Sequence, residues 1–219
     1  RVLFRSTNTP TNTPTNTPTS TITPTPTIPT LAPNNVSNLQ GWYDATNSVQ
    51  FQPTIPTNGA LITQWGDSSG ALHNLNSSGN PDKPTYYTNI QNGKPAVYYN
   101  GTSNNQSATN YTAFQSSTGI TLFVISKISG TTGTQKITTM GDNKNIYDDA
   151  MLAFSGSTAR YQIGMSSAKA EDSTGTVDTT CHIHTILFDG SQTGNANRLV
   201  YRRDKTPITL TFTGTVGTT

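Results

Sequence analysis

The run best equipped to hold a ligand is Asp142-Asn143-Lys144-Asn145-Ile146-Tyr147-Asp148-Asp149. Its carboxylate and amide oxygens are hard donors of the kind Ca²⁺ takes, and the Tyr147 ring offers a face against which a sugar can lie. The run is not an EF-hand loop, because Lys144 holds its third position and the glycine of that loop is absent. Two readings stand beside each other: a solvated loop, or a contact for Ca²⁺ or glycan. In the second, Asp142, Asn143, Asn145, Tyr147 and Asp148 are the contacts, with Tyr111 as a further exposed aromatic residue. No other cofactor is implied.

His182 and His184 lie two residues apart, which on a strand puts them on one face, as two metal ligands would be. No third ligand is evident nearby, so the plainer reading is a pair of half-exposed strand histidines. Hydrolysis of a glycoside with retention takes two carboxylates about 5 Å apart. The chain has a single glutamate, Glu171, in the polar run Ala168–Ser173, and Glu-x-Asp-x-Glu does not occur. Several aspartates precede Gly, Ser or Asn, where their carboxylates cap turns. His73, His182 and His184 have no recognisable partner motif. Cys181 is the sole cysteine, so no internal disulfide forms and the thiol reads as buried and inert. These residues assemble no catalytic set, and the expectation is a domain that is not an enzyme.

The elements that must carry these residues read as strands. Runs rich in β-branched and aromatic residues fit strands at Leu61–Trp65, Thr85–Thr88, Ala96–Tyr99, Ile120–Lys127, Met151–Phe154, Arg160–Met165, His182–Phe188, Arg198–Arg203 and Ile208–Phe212. Ile120–Lys127 is the most apolar of them and reads as a central strand buried on both faces. Asn92-Gly93 tolerates positive φ and suits a tight hairpin between two of the runs. No long stretch has a 3.6-residue period. Many short strands with turn signals between them indicate a sandwich or barrel.

Composition divides the chain. Residues 1–6 are basic, end abruptly and read as a scar or fragment edge. Residues 7–34 repeat Thr-Asn-Thr-Pro and then drift into Thr/Pro alternation. Proline removes backbone donors, and almost nothing here can bury apolar area, so a disordered, extended linker or O-glycosylated stalk is expected. Residues 35–219 are long enough for one all-β domain with a core. A net charge of +2 with 11% charged residues leaves no basic stripe for nucleic acid. No apolar run is long enough to cross a membrane.

Read as a whole, the stretch from Leu39 to Gly101 resembles the concanavalin A-like lectin/glucanase domains, close to the laminin G group. The resemblance runs through Trp42-Tyr43-Asp44-Ala45, Trp65-Gly66-Asp67-Ser68-Ser69-Gly70, His73, Pro84-Thr85-Tyr86 and Asn92-Gly93-Lys94-Pro95-Ala96-Val97. It continues through Asn100-Gly101-Thr102, through His184 to Gly190, and through Leu199-Val200-Tyr201. It implies a jelly-roll β-sandwich of two antiparallel sheets. Such domains usually close with a further strand pair, so the resemblance suggests a C-terminally truncated fragment with an open edge. Trp42 and Trp65, inside the shared pattern, are expected in the core, and Tyr43, Tyr87, Tyr99 and Tyr111 nearer the surface.

The functional expectation is a non-catalytic, lectin-like module at the cell surface or outside the cell, binding glycan or a cell-surface polysaccharide. The alternative is a structural or adhesive domain acting through protein contacts, and a glycan hydrolase is the third reading.

Overall fold

The computed structural model describes residues 33–79, 81–109, 117–130, 134–140, 150–155, 160–165, 168–173 and 178–218. Residues 7–32 of the linker, the Asp142–Asp149 loop and Tyr111 lie outside them, and Pro33–Asn35 forms a 3-10 turn. The regular structure of the described residues is almost all strand, as expected. Apart from two short 3-10 turns, its helical content is the four-residue α1 (Asn195–Arg198).

The strands are β1 (Phe51–Gln52), β2 (Ala60–Leu61), β3 (Gln64–Trp65), β4 (Leu75–Asn76), β5 (Thr85–Gln91), β6 (Lys94–Tyr98) and β7 (Gly119–Lys127). They continue with β8 (Thr134–Met140), β9 (Ala150–Ser155), β10 (Arg160–Met165), β11 (Ala168–Asp172) and β12 (Cys181–Asp189). The last are β13 (Leu199–Arg203), β14 (Thr206–Ile208) and β15 (Leu210–Gly214). They form four antiparallel sheets, in the orders β1-β3-β4, β2-β5-β6, β14-β13-β12-β7 and β15-β11-β10-β9-β8.

The four- and five-stranded sheets share one core, which gives the domain its sandwich-like character. Period-2 alternation turns His182, His184, Ile186 and Phe188 of β12 inward, as it does Ala168, Ala170 and Asp172 of β11. There they meet Leu152, Phe154, Tyr161, Ile163, Leu199, Tyr201 and Val216. Removing each large apolar side chain from water contributes about 1.5–3 kcal/mol. One chain segment joins the two sheets. Ile208 pairs with Tyr201 in the first, Leu210 pairs with Asp172 in the second, and the Thr209 carbonyl between them accepts from Ser173 N and Oγ. The expected strand Ile208–Phe212 is thus two strands in different sheets. Past it, Val216 is fully buried, with its N–H donating to Asn195 Oδ1 and its carbonyl accepting from Arg198.

The smaller sheets have a core of their own, Phe51, Ile62 and Tyr86 with Ala45, Trp65 and Val97 against it. Phe51 stacks on Trp65 at 5.5 Å and meets Tyr86 edge-on at 5.1 Å. The expected strand Leu61–Trp65 divides, because Ile62 N donates to Pro84 O while Thr63 N donates to Gln52 O, one bond toward each sheet. The hairpin β5–β6 turns at Asn92 and Gly93, both at positive φ (50° and 74°), as the Asn-Gly pair predicts.

Two expectations are corrected. Ile120–Lys127 is not a central strand buried on both faces. It forms β7, at the end of the four-stranded sheet, and its residues alternate between exposed and half-buried. The apolar run misleads because its outer-face positions are apolar too. The polar Ala168–Ser173 run, where no strand was expected, is strand β11 through Asp172, since its small alanines fit the interior of the sheet between β10 and β15.

Candidate functional site

Inward residues from both larger sheets build a polar layer inside the apolar core. His184 on β12 is fully buried. Its Nδ1 lies 2.8 Å from Tyr201 Oη on β13, and its Nε2 lies 3.1 Å from Ser126 Oγ on β7. The ring stacks on Tyr201 and meets Tyr161 of β10 edge-on at 4.7 Å. Burial, with the neighbouring His182 ring and Arg203 guanidinium, lowers the His184 pKa to about 4. Burial likewise raises Tyr161 to about 12.

His182, two residues back on the same face, is held at both nitrogens. Nδ1 faces Asp204 Oδ2 at 2.6 Å, and Nε2 faces Asp178 Oδ1 and Thr180 Oγ1, each at 3.0 Å. Asp204 also accepts from Ile183 N, and this backbone bond, then the His182 ring, hold its carboxyl below the usual range. Asp178, capped by the hydroxyl and N–H of Thr180 and then by His182, is lowered to about 2. Across the core, Arg203 Nη1 reaches the fully buried Asp172 Oδ2 at 3.1 Å and lies over the Tyr161 ring.

Arg203 with Asp172, and His184 with Tyr161, are contacts that cross between the two sheets. The carboxylates of Asp178 and Asp204 approach His182 from opposite nitrogens, a geometry that does not converge on one ion. Among the described residues, no group of three or more His, Cys, Asp or Glu side chains could hold a metal. The expected half-exposed histidines are in fact buried, because they continue the inward row of Ile186 and Phe188. That alternation was the signal in the sequence. Their partners were hidden, since Ser126, Tyr201 and Asp204 come from elements brought close only by the fold. Glu171 points to the other face of β11 from Asp172, where Lys169 Nζ at 3.0 Å and Gln162 Nε2 at 2.6 Å bind its carboxylate.

The opposite face of the four-stranded sheet is open. Phe123 is 70% and Ile125 72% exposed on β7, and Ile183 and Leu187 follow on β12. Phe123 stands across from Thr185, and Thr185 from Arg202. A shallow groove of about 300 Å³ runs here between Thr121, Phe123, Thr185, Leu187, Val200, Arg202 and Lys205. It is lined by one aromatic ring, two hydroxyls and two cations, and by no carboxylate. Lys205 and Asp204 make the β13–β14 turn with φ of 71° and 50°, and Asp204 anchors that turn to β12.

The sequence-predicted contacts Asp142, Asn143, Asn145, Tyr147, Asp148 and Tyr111, on which the Ca²⁺ expectation rests, lie outside the described residues. Trp65 packs in the smaller core, with Tyr43 edge-on at 5.9 Å. Trp42 is half-buried. The Tyr43 hydroxyl donates to the His73 carbonyl, while Tyr87 lies edge-on to Tyr98 in another sheet. Tyr99 is exposed and donates to Gln106 Oε1. These tyrosines do not gather into one platform. No family model, curated protein or solved structure matches the chain.

Proposed function

We propose that the domain is a non-catalytic recognition module, a jelly-roll sandwich of the lectin type carried on a Thr/Pro stalk outside the cell, and that its ligand is an acidic glycan. The observation that carries this reading is the Phe123 ring, 70% exposed in a groove with Arg202 and Lys205 and no carboxylate. An aromatic face takes the C–H side of a sugar, the threonine hydroxyls exchange hydrogen bonds with its hydroxyls, and the two cations favour uronate or sulfate groups. The resemblance through Trp42–Gly101 supports the same class.

The test is a glycan array with the full chain, run with and without Ca²⁺ because of the oxygens at Asp142, Asn143, Asn145 and Asp148. Binding to acidic glycans, weakened about tenfold by Arg202→Ala and by added salt, is the expected result. Absence of binding above background in both conditions would sink it, as would binding indifferent to Arg202.

A second reading, adhesion through protein contacts, is favoured by Ile125 and Ile183. They extend the apolar surface beyond the groove and offer a sugar no hydrogen bond. On that reading Ile183→Ser weakens attachment to a protein-coated surface and leaves the glycan array unchanged.

A further inference from the structure

We propose that β7 is a docking edge at which a second copy of this chain adds its own β7, joining two four-stranded sheets into one. The first observation is a contrast between neighbouring strands. On β12, flanked by β7 and β13, the inward side chains His182, His184, Ile186 and Phe188 are buried, and the outward Ile183 and Leu187 are 45% and 43% exposed. On β7 the inward Ile120, Leu122 and Val124 are only partly buried, and the outward Phe123 and Ile125 are 70% and 72% exposed. Both faces of β7 are thus less covered than those of its neighbour, which is what a bare edge produces. Among the described residues, β7 pairs with no strand but β12.

The second observation is what this edge lacks. Exposed edges are usually blunted by proline, a bulge, a charge in mid-strand or short length. β7 is nine residues long, pairs with β12 through nine consecutive positions without a bulge, and carries neither proline nor a charge before Lys127.

The third observation selects the partner. Paired antiparallel with itself about a two-fold axis at Phe123, β7 sets Leu122 against Val124, Thr121 against Ile125, and Ile120 against Ser126. Apolar and β-branched side chains then face one another at most positions, which suits cross-strand packing. Lys127 falls opposite Gly119, so the two lysines stand about 27 Å apart at strand rise, well beyond a Debye length of about 8 Å. A net charge of +2 per chain adds little repulsion between copies. The edge is complementary to itself. This proposal depends on the edge and is independent of the groove's ligand.

Sedimentation velocity of the full chain over a concentration series decides it, together with hydrogen exchange of the β7 amides. The expected result is a closed monomer–dimer equilibrium in which β7 amides become protected as concentration rises. Phe123→Lys sets two charges directly across the axis while altering an exposed side chain, and should weaken the dimer at least about tenfold. Ile183→Lys, on the same face but one strand in, should change it by less than about threefold. A chain that stays monomeric at all concentrations overturns the proposal. So does association abolished by Ile183→Lys but not by Phe123→Lys, which would mean face-to-face stacking. Open-ended aggregation, or protection outside β7 alone, overturns it as well.

Discussion

Asp67 Oδ1 accepts the backbone N–H of Trp42 at 2.8 Å across twenty-five residues of chain. The same carboxylate takes the N–H of Ser69 at 2.8 Å, the N–H of His73 at 3.1 Å and the Ser69 hydroxyl at 2.8 Å. Ser68 N returns a bond to Trp42 O, and His73 Nδ1 lies 2.8 Å from Gln40 O. The residues that carry the family resemblance are thus a staple that ties the segment around Trp42 to the turn after Trp65.

Asp67→Ala removes one acceptor group from three part-buried N–H donors. Donors left unsatisfied cost roughly 1–3 kcal/mol each where water cannot reach them, so a loss of about 3–5 kcal/mol is expected. Asp67→Asn keeps one acceptor oxygen and should lose about half as much. Denaturant melts check both. A loss under about 1 kcal/mol for the alanine variant would show that the staple is dispensable.

Trp65 is expected to act as core. Its ring stacks on Phe51 and meets Tyr43, so Trp65→Ala should cost about 3 kcal/mol, near the low end for large aromatics because the residue is half-buried. A stability change below about 1 kcal/mol together with lost glycan binding would instead make it a surface platform.

Much of this was legible in the sequence, for physical reasons that differ by residue. Asn92-Gly93 is a local signal, and the hairpin forms there. Strand content follows from β-branched and aromatic runs, and β10, β12 and β13 lie close to where these runs are. Burial in β7 was not legible. Apolar residues on both faces look the same whether a strand is central or at an edge, and only pairing order separates them. The polar layer was legible by half. The inward row of His182, His184, Ile186 and Phe188 follows from alternation, but Asp172 and Arg203, which pair with each other in the same layer, are thirty-one residues apart and meet only across the core. The groove at Phe123 was missed because its lining comes from three strands and a turn.

Arg203 and Asp172 predict a large and asymmetric response. Arg203→Ala removes the paired cation from a fully buried carboxylate and also the guanidinium from the Tyr161 ring, so a loss of about 3 kcal/mol is expected. Replacing both partners by apolar residues, as in Asp172→Leu with Arg203→Met, should cost less than the single change. A double variant less stable than Arg203→Ala would show that Asp172 is held by its other contacts more than by Arg203.

The pH dependence of stability follows from His184 and the carboxylates, in two stages with different owners. His184 in the fold is lowered to about 4 by burial, then by His182 and Arg203, whereas in the unfolded chain it titrates near about 6.5. Below about pH 6.5 the unfolded chain therefore binds a proton that the fold refuses, and stability falls with a slope of up to about one proton until pH nears 4. The carboxylates are displaced in the same direction, so their contribution too is lost on acidification, but at lower pH. For Asp178, capped chiefly by Thr180, and for Asp204, bound first by Ile183 N and then by His182, the folded pKa is lowered, to about 2 in the case of Asp178. Asp67 is lowered too, since its hydrogen bonds outweigh the opposing effect of burial. Their contribution is complete well above the unfolded carboxylate value of about 3.9 and is lost as pH falls through the folded values. Denaturant melts from pH 8 to pH 3 should show a gentle decline that begins near pH 6.5 and a steeper one below pH 4. His184→Phe, which keeps a ring between Tyr161 and Tyr201 but cannot take a proton, should flatten the first stage and leave the second. A variant whose stability still falls between pH 6.5 and 4 as the parent's does would place that titration on another group.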